Sequence, residues 1–271
     1  MSARARVRAH AYLVLVFAGG VLALFLLAPV VGLVAATSPA DFWSGLHHPL
    51  VWPALRLSLL TTTVSLLVVV GLGTPLAWAL ARSTGRVARA VEVVVQLPAV
   101  IPPAVAGVAL LLTFGRRGLF AGWLYPQGWS VTFTTAAVIL AEIFVSAPYF
   151  VQAATDAFRR VDQSCVVVAR TLGAFPLRVF WQIELPLAVS GLVAGAAMSW
   201  ARSLGEFGAT LMFAGNASGK TQTLPLAIYM AFESDLRAEQ ALSLVLIAVA
   251  FGVLLAARAT LARGARARVA R

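Results

Sequence analysis

The sequence predicts an all-α integral membrane protein with about six transmembrane helices, and three observations predict it. Of 271 residues, 61% are hydrophobic and 11% charged, against roughly 45–50% and 25% in soluble domains. A chain this apolar cannot cover its own surface with polar groups, so a bilayer is its natural solvent. The apolar residues gather in runs that reach the roughly 20 residues needed to cross a hydrocarbon core of about 30 Å. Basic residues cluster between the runs and alternate in density from loop to loop, the charge pattern of a multi-pass protein. The chain reads as a single transmembrane domain over 1–271, with no soluble domain, low-complexity stretch or internal repeat.

The spans fall near residues 11–36, 54–81, 91–114, 131–154, 187–214 and 239–257. The first follows Arg4, Arg6 and Arg8, as a secretory signal would, but its apolar run exceeds the roughly 7–15 residues of a cleaved signal, so it reads as a retained anchor. The second carries Gly71, Gly73 and Pro75 late in its length, the third Pro98, Pro102 and Pro103, and the fourth Pro148. Prolines bend membrane helices where neighbouring helices or a cavity satisfy the freed carbonyls. Such bends suit a pathway, and also simple kinked packing. The fifth span contains Arg202 and Glu206, and the sixth ends in an arginine-rich tail from Arg258.

One set of alternate loops holds 15 arginines (Arg4, Arg6, Arg8; Arg82, Arg86, Arg89; Arg159, Arg160, Arg170, Arg178; Arg258, Arg263, Arg266, Arg268, Arg271). The other holds five basic residues, Arg56, Arg116, Arg117, Lys220 and Arg237. The positive-inside bias makes the rich set cytoplasmic and places both termini in the cytoplasm. The net charge of +11 does not mark a nucleic-acid binder. Its arginines flank apolar runs, where they orient spans and meet anionic lipid, instead of forming one soluble cationic face. A single cysteine, Cys165, excludes an intrachain disulfide framework and a cysteine-built metal site. His10, His47 and His48 lack the spacing and carboxylate neighbours of a metal site. No metal ligand and no catalytic constellation is expected.

The connection between the fourth and fifth spans, residues 156–186, is far longer than a turn requires. Residues 162–172 read as a short helix that Gly173 stops with a left-handed C-cap. Pro176 opens a second short helix, where its fixed φ is tolerated, and Pro186 ends that helix and begins the fifth span. Helix, hinge and helix lie across the membrane surface, with Phe175, Phe180 and Trp181 as apolar anchors framed by Arg170 and Arg178. Such a knob suits docking of a cytoplasmic partner, and equally a helix resting in the headgroups.

Within this loop, ARTLGAFPLRVFWQIELP resembles the coupling-loop signature of ATP-binding-cassette importer permeases, which reads EAA, three residues, Gly, nine residues, Ile-X-Leu-Pro. Gly173, Ile183, Leu185 and Pro186 stand at the family spacing, while Val167, Val168 and Ala169 replace Glu-Ala-Ala. The replacement removes the family's glutamate and leaves the glycine hinge. LPAVIPPAVAGVALLLTFGRRG (97–118) and SLGEFGATLMFAGNASGKTQTLPLAIY (203–229) resemble the molybdate permease type more than sulfate or thiosulfate permeases. The likeness runs from about the second span to the C-terminus.

The resemblance implies a cytoplasmic coupling-helix loop on the helix bundle, with Arg170, Gly173, Ala174, Phe175, Pro176, Ile183, Leu185 and Pro186 as the ATPase-coupling residues. It implies a homodimer in the bacterial cytoplasmic membrane, two ATPase subunits that hold ATP-Mg, and no cofactor on this chain. An extracytoplasmic binding protein delivers a tetrahedral oxyanion, molybdate first, with tungstate, sulfate or thiosulfate as alternatives. An ion-coupled secondary carrier is the reading from a different class; carriers often show inverted repeats, and none is visible.

Glu142, Arg202 and Glu206 fall within predicted spans, away from their ends, where an isolated charge costs roughly 2.5–3.5 kcal/mol or more. Arg202 and Glu206, four residues apart, share one helix face and can pair. Because SLGEFG resembles a family motif, Arg202, Glu206 and Phe207, with Pro102 and Pro103, are the expected pathway or gate residues. Glu142 has two expected solutions, protonation or a contact with Arg202. Arg116 and Arg117 close the third span at its external end, where they either attract a dianion or snorkel. AGNASGKT (214–221) approaches the phosphate loop GxxxxGK[ST], but it follows an apolar span instead of a strand and faces outside. It reads as an external loop turned by Asn216 and Gly219, where Asn216, Lys220 and Thr221 are candidates for contact with the binding protein. A pathway must release its cargo, so a weakly polar cavity without a deep oxyanion site is expected.

Overall fold

A computed structural model describes residues 3–269, with side chains described for 12–259 other than Tyr125. The side chains of Arg4, Arg6, Arg8, His10, Arg263, Arg266, Arg268 and Arg271 lie outside the described residues. The described elements are all helical: α1 (Ala3–Ala36), α2 (Pro39–Leu46), α3 (Val51–Arg82), α4 (Arg86–Val100), α5 (Pro103–Phe114), α6 (Ala121–Leu124), α7 (Thr135–Arg159), α8 (Gln163–Thr171), α9 (Pro176–Val179), α10 (Leu185–Leu204), α11 (Gly208–Ala214), α12 (Leu224–Ser234) and α13 (Leu236–Val269). Among the described residues, five helical stretches are long and apolar enough to cross a membrane, Tyr12–Ala36, Val51–Arg82, Thr135–Arg159, Pro176–Leu204 and Leu236–Ala259, and the bent pair α4–α5 makes a sixth if taken as one span.

The third predicted span, 91–114, is not one helix. α4 and α5 meet at 114°, because Ile101 and Pro102 are both extended, with ψ of 131° and 136°. A residue that precedes proline is pushed out of the helical region, and here two do so in succession. Pro29, Pro75 and Pro148, each alone, are absorbed inside their helices.

The fifth span, predicted at 187–214, is corrected at both ends. The helix runs from Pro176 to Leu204, and α11 is a separate piece beyond Gly205. Pro186 does not end one helix and begin another. A π-helical turn, Phe180–Glu184, joins α9 to α10, and the Leu185 N–H donates to the Phe180 carbonyl. The wider turn relieves the clash between a proline ring and the preceding turn, so the helix continues through Pro186.

α7 is the central helix, packed between α3 and α10. Small residues allow the approach: a Cβ on Gly73 would lie 2.8 Å from the Phe150 ring, and one on Gly195 would lie 2.8 Å from the Ala153 Cβ. Close backbone approach supplies the dispersion contacts that hold membrane helices where lipid is as apolar as leucine. A polar seam crosses the same contact. The Thr61 and Ser65 hydroxyls of α3 each donate to the Glu142 carboxyl of α7 at 2.8 Å, and the Leu224 N–H donates to Ser58 Oγ at 2.7 Å. Glu142 is thus met by α3 hydroxyls, and not by Arg202 as the second sequence reading had it. α1 has no buried residue between Tyr12 and Ala36. At the bundle end opposite the α7–α10 loop, Trp43, Trp52, Trp123 and Trp129 are exposed, as an aromatic belt requires at a membrane interface.

Candidate functional site

The chain after α7 builds the helix, hinge and helix that Gly173 and Pro176 predict. Asp162 caps α8, accepting the Ser164 N–H on Oδ1 at 2.9 Å. That bond to the Ser164 backbone holds the Asp162 carboxyl below its usual range. A depressed carboxyl stabilises the folded loop above the unfolded pKa, and the contribution is lost as pH falls through the folded value. We expect the first turn of α8 to fray at acid pH in the native chain. In Asp162→Ala it frays at neutral pH as well, seen as faster hydrogen exchange at the amides of 164–166.

Gly173 ends α8 with φ of +85°. The Ala174 N–H reaches the Ala169 carbonyl and the Gly173 N–H the Arg170 carbonyl, both at 3.0 Å, the paired bonds of a Schellman motif. Pro176 then occupies the first turn of α9. Leu172, Phe175, Leu177 and Trp181 stand 83%, 76%, 69% and 59% exposed, an apolar surface open to a docking partner or to lipid headgroups. Arg170 and Arg178 frame it, exposed and, among the described residues, in no ion pair. Ala174, Ile183 and Leu185 face inward against the Phe150–Phe158 cluster, so they anchor the knob instead of forming its surface. Phe180, expected as a surface anchor, is half-buried between Trp78 and Phe158, with ring centroids at 5.6 and 6.0 Å. Leu172 and Leu177 take its place, because the turn at Gly173 brings both to the outside.

Sequence reasoning passed over Glu184. It is 2% exposed, pairs with Arg82 and accepts from Trp78 Nε1, and so ties the π-helical turn to the last turns of α3. The signal was present: a carboxylate between Ile183 and Leu185 in an apolar run needs a cation, and Arg82 ends the neighbouring span.

The second constellation lies where α10 ends. Arg202 is in its last turn and Glu206 is beyond Gly205, so the two do not share a helix face; they still pair, Nη1 to Oε2 at 2.8 Å. Glu206 Oε1 also accepts the Ala209 N–H at 2.8 Å, so one buried carboxylate spans the break and satisfies an amide of α11 that has no helical partner. α11 packs on α5: a Cβ on Gly208 would sit 2.9 Å from Pro103 Cβ. The break after Leu204 and the break at Ile101–Pro102 therefore meet, bringing Pro103 beside Gly208, the neighbour of Phe207. Phe207 contacts Tyr229, with centroids 5.5 Å apart. Non-helical backbone at membrane depth is tolerated where it is buried in protein or lines a cavity. Glu206→Ala is expected to leave the Arg202 charge and the Ala209 amide without their partner and to cost roughly 3–5 kcal/mol; Glu206→Gln, which keeps an acceptor for Ala209, costs less. Thermal unfolding of the purified protein compares the two.

The third feature is at the opposite end of α5. Arg116, Arg117 and Lys220 line one groove of about 710 Å³ together with Ser130, Thr132 and Thr134. Thr135 Oγ1 donates to the Lys220 carbonyl at 2.9 Å, fixing the 215–223 loop against the start of α7. Gly215 and Gly219 turn that loop with φ of +74° and +71°, and helix α11, not a strand, precedes it, so the phosphate-loop reading is rejected on structure as well. Lys220 is exposed and Asn216 half-buried. Thr221 is fully buried, its hydroxyl accepting the Ala217 N–H at 2.8 Å. It braces the loop and offers no surface to a partner, a correction to its sequence assignment.

Residues 73–268 match the family described as binding-protein-dependent transport system inner membrane component. The molybdenum transport system permease protein ModB of Mycobacterium tuberculosis is 46% identical over 231 residues, 85% of this chain and 88% of that protein. ModB of Escherichia coli K12 is 37% identical over 75% of this chain and 89% of its own. The molybdate/tungstate transport system permease protein WtpB of Pyrococcus abyssi is 36% identical over 79% of each. Among solved structures, a bacterial alginate ABC transporter in complex with its alginate-bound periplasmic protein contains a chain that superposes with a TM-score of 0.72 at 17% identity, over 93% of this chain and 94% of that one, a likeness of fold. By the extent of the family match and the identity to its relatives, this chain belongs to the inner membrane components of binding-protein-dependent transport systems.

Proposed function

We propose that this chain is the transmembrane permease subunit of an ATP-driven importer for molybdate, working as a homodimer with two ATPase subunits and an extracytoplasmic oxyanion-binding protein. The observation that carries the reading is 46% identity over most of the chain to a molybdenum transport permease, joined to an exposed apolar knob at Leu172, Phe175, Leu177 and Trp181. ATP with its magnesium binds the partner subunits, and both termini of this chain face the cytoplasm with the arginine-rich loops.

The continuity of the helix from Pro176 to Leu204 supports a mechanical route. At 1.5 Å per residue it is a rod of about 43 Å, with the ATPase-facing knob at one end and the Arg202–Glu206 break at the other. Closure of the ATPases displaces the knob, the Glu184–Arg82 pair carries α3 along, and the rod moves the junction of Pro102, Pro103 and Phe207 that opens or shuts the pathway. The test is uptake of radiolabelled molybdate into vesicles holding the complete transporter, with tungstate, sulfate and thiosulfate as competitors. Uptake that needs ATP and is competed better by tungstate than by sulfate is the expected result. Gradient-driven flux without ATP overturns it in favour of a secondary carrier, and stronger competition by sulfate or thiosulfate reassigns the cargo.

A further inference from the structure

We propose that the groove formed by Arg116, Arg117 and Lys220 is a low-affinity receiving site for a tetrahedral oxyanion, occupied after the anion leaves the binding protein and before it enters the pathway. The inference rests on the importer reading above and adds to it a place on this chain where the cargo is first held.

Four observations carry it. The three cations come from two separate segments, the turn after α5 and the loop after α11, yet line one concavity. Among the described residues none of the three enters an ion pair, and no aspartate or glutamate lines the groove. Uncompensated like charges in a cleft with low-dielectric walls focus the potential and concentrate a counter-ion there. Thr132, only 5% exposed, also lines it, and a threonine hydroxyl is a donor of the kind an oxyanion accepts from.

The groove is also held in shape. The turn that carries the two arginines is closed by bonds from the Gly115 N–H to the Leu111 carbonyl at 2.8 Å and from the Gly118 N–H to the Gly115 carbonyl at 2.9 Å. On the facing wall Phe133 has φ of 60°, the one non-glycine residue with positive φ among the described residues, and its ring lies against Gly215. A bulky residue persists in that region only where its surroundings over-determine it.

The chemistry selects a small dianion over a neutral or cationic cargo. Guanidiniums offer forked donors to two oxygens at once, while Lys220 contributes a point charge. The volume, about 710 Å³, exceeds that of one bare oxyanion, so the ion keeps part of its water and is held weakly, as release into a pathway demands. An acidic face of the binding protein is a different class of occupant, and the concave shape, with Ser130 and Thr132 beside the cations, favours the ion.

Two measurements on the complete transporter test this. In vesicles with saturating binding protein, Arg116→Gln/Arg117→Gln/Lys220→Gln is expected to lower the initial rate of molybdate uptake about tenfold, with most of the loss reproduced by raising salt in the native protein. Docking affinity of the molybdate-loaded binding protein stays within about twofold, because Lys220 then serves the anion instead of the binding-protein contact expected of it from the sequence. Arg116→Lys/Arg117→Lys recovers most of the uptake. In nanodiscs without binding protein, equilibrium dialysis at low salt shows molybdate binding that tungstate displaces and the triple variant lacks. Unchanged uptake in the triple variant overturns the proposal, as does equal dialysis binding by both proteins. Docking that weakens in step with uptake assigns the groove to an acidic protein surface instead. If native vesicles show no ATP-driven uptake the importer reading fails, and the dialysis result still decides the groove.

Discussion

Gly173→Val is expected to abolish ATP-driven uptake while the chain still inserts in the membrane, and Gly173→Asn is expected to retain a substantial part of it. The backbone at Gly173 has φ of +85°, where a residue with a Cβ loses roughly 1–2 kcal/mol and a β-branched one fits worst. Space is not the limit, since a Cβ there would meet no atom within 4 Å. The substitution acts through the turn. Without it, the paired bonds to Ala169 and Arg170 are lost and Leu172, Phe175 and Leu177 no longer form one surface. Asparagine tolerates the left-handed region, so the Val–Asn pair separates backbone geometry from side-chain bulk. Gly173→Asp, equally tolerant of the backbone, adds a negative charge to the apolar knob and is expected to lose coupling through the interface. Uptake, ATPase co-purification and membrane content, measured for all three, make the comparison. Full uptake by Gly173→Val would remove the hinge from the mechanism.

Glu184→Ala is expected to uncouple the transporter: ATP hydrolysis continues while uptake per ATP collapses. Glu184 is buried, and its partners Arg82 and Trp78 lie on α3. Removing one member of a buried pair leaves the other unsatisfied, at roughly 3–5 kcal/mol. The lower end applies here, because the Arg82 side chain keeps 23% of its exposure and water can relieve part of the loss. A lost clamp also frees the π-helical turn from α3, so displacement of the knob is no longer shared between α3 and α10. Replacing both residues, Arg82→Leu with Glu184→Leu, is expected to restore thermal stability, since an apolar pair of similar volume replaces a buried ion pair at little cost. It is not expected to restore the full uptake-to-ATP ratio, because a directional clamp has become a slippery contact. Recovery of both together would make the pair a purely structural element.

The resemblance carried by Gly173, Ile183, Leu185 and Pro186 agrees with a chain whose family membership is set by residues 73–268. The left-handed stop at Gly173 and the helical start at Pro176 were legible because glycine and proline report local backbone geometry without any tertiary information. Pro186 misled for the complementary reason. Its local preference is to interrupt, and only the π-helical turn before it, braced by Phe180 against Trp78 and Phe158, lets the helix pass. Phe180 and Thr221 were misplaced because their composition signals contact while their direction depends on which turn precedes them. Glu142 could be seen to need partners, but hydroxyls of α3 and a cation of α10 satisfy the same requirement in a sequence.

By itself the sequence determined the solvent, the helical class, the charge alternation of the loops and the hinge of the α7–α10 loop, because each follows from hydrophobic run length, arginine placement or the intrinsic φ of a single residue. The tertiary structure alone decided that the third span is two helices crossing at 114° and that their break meets the break after Leu204. It also decided that Glu184 closes on Arg82 and that Arg116, Arg117 and Lys220 share one groove. These are juxtapositions of residues many tens of positions apart. Close packing of small residues between α3, α7 and α10 selects them, and no local propensity encodes which distant partner a buried charge or a broken helix will meet.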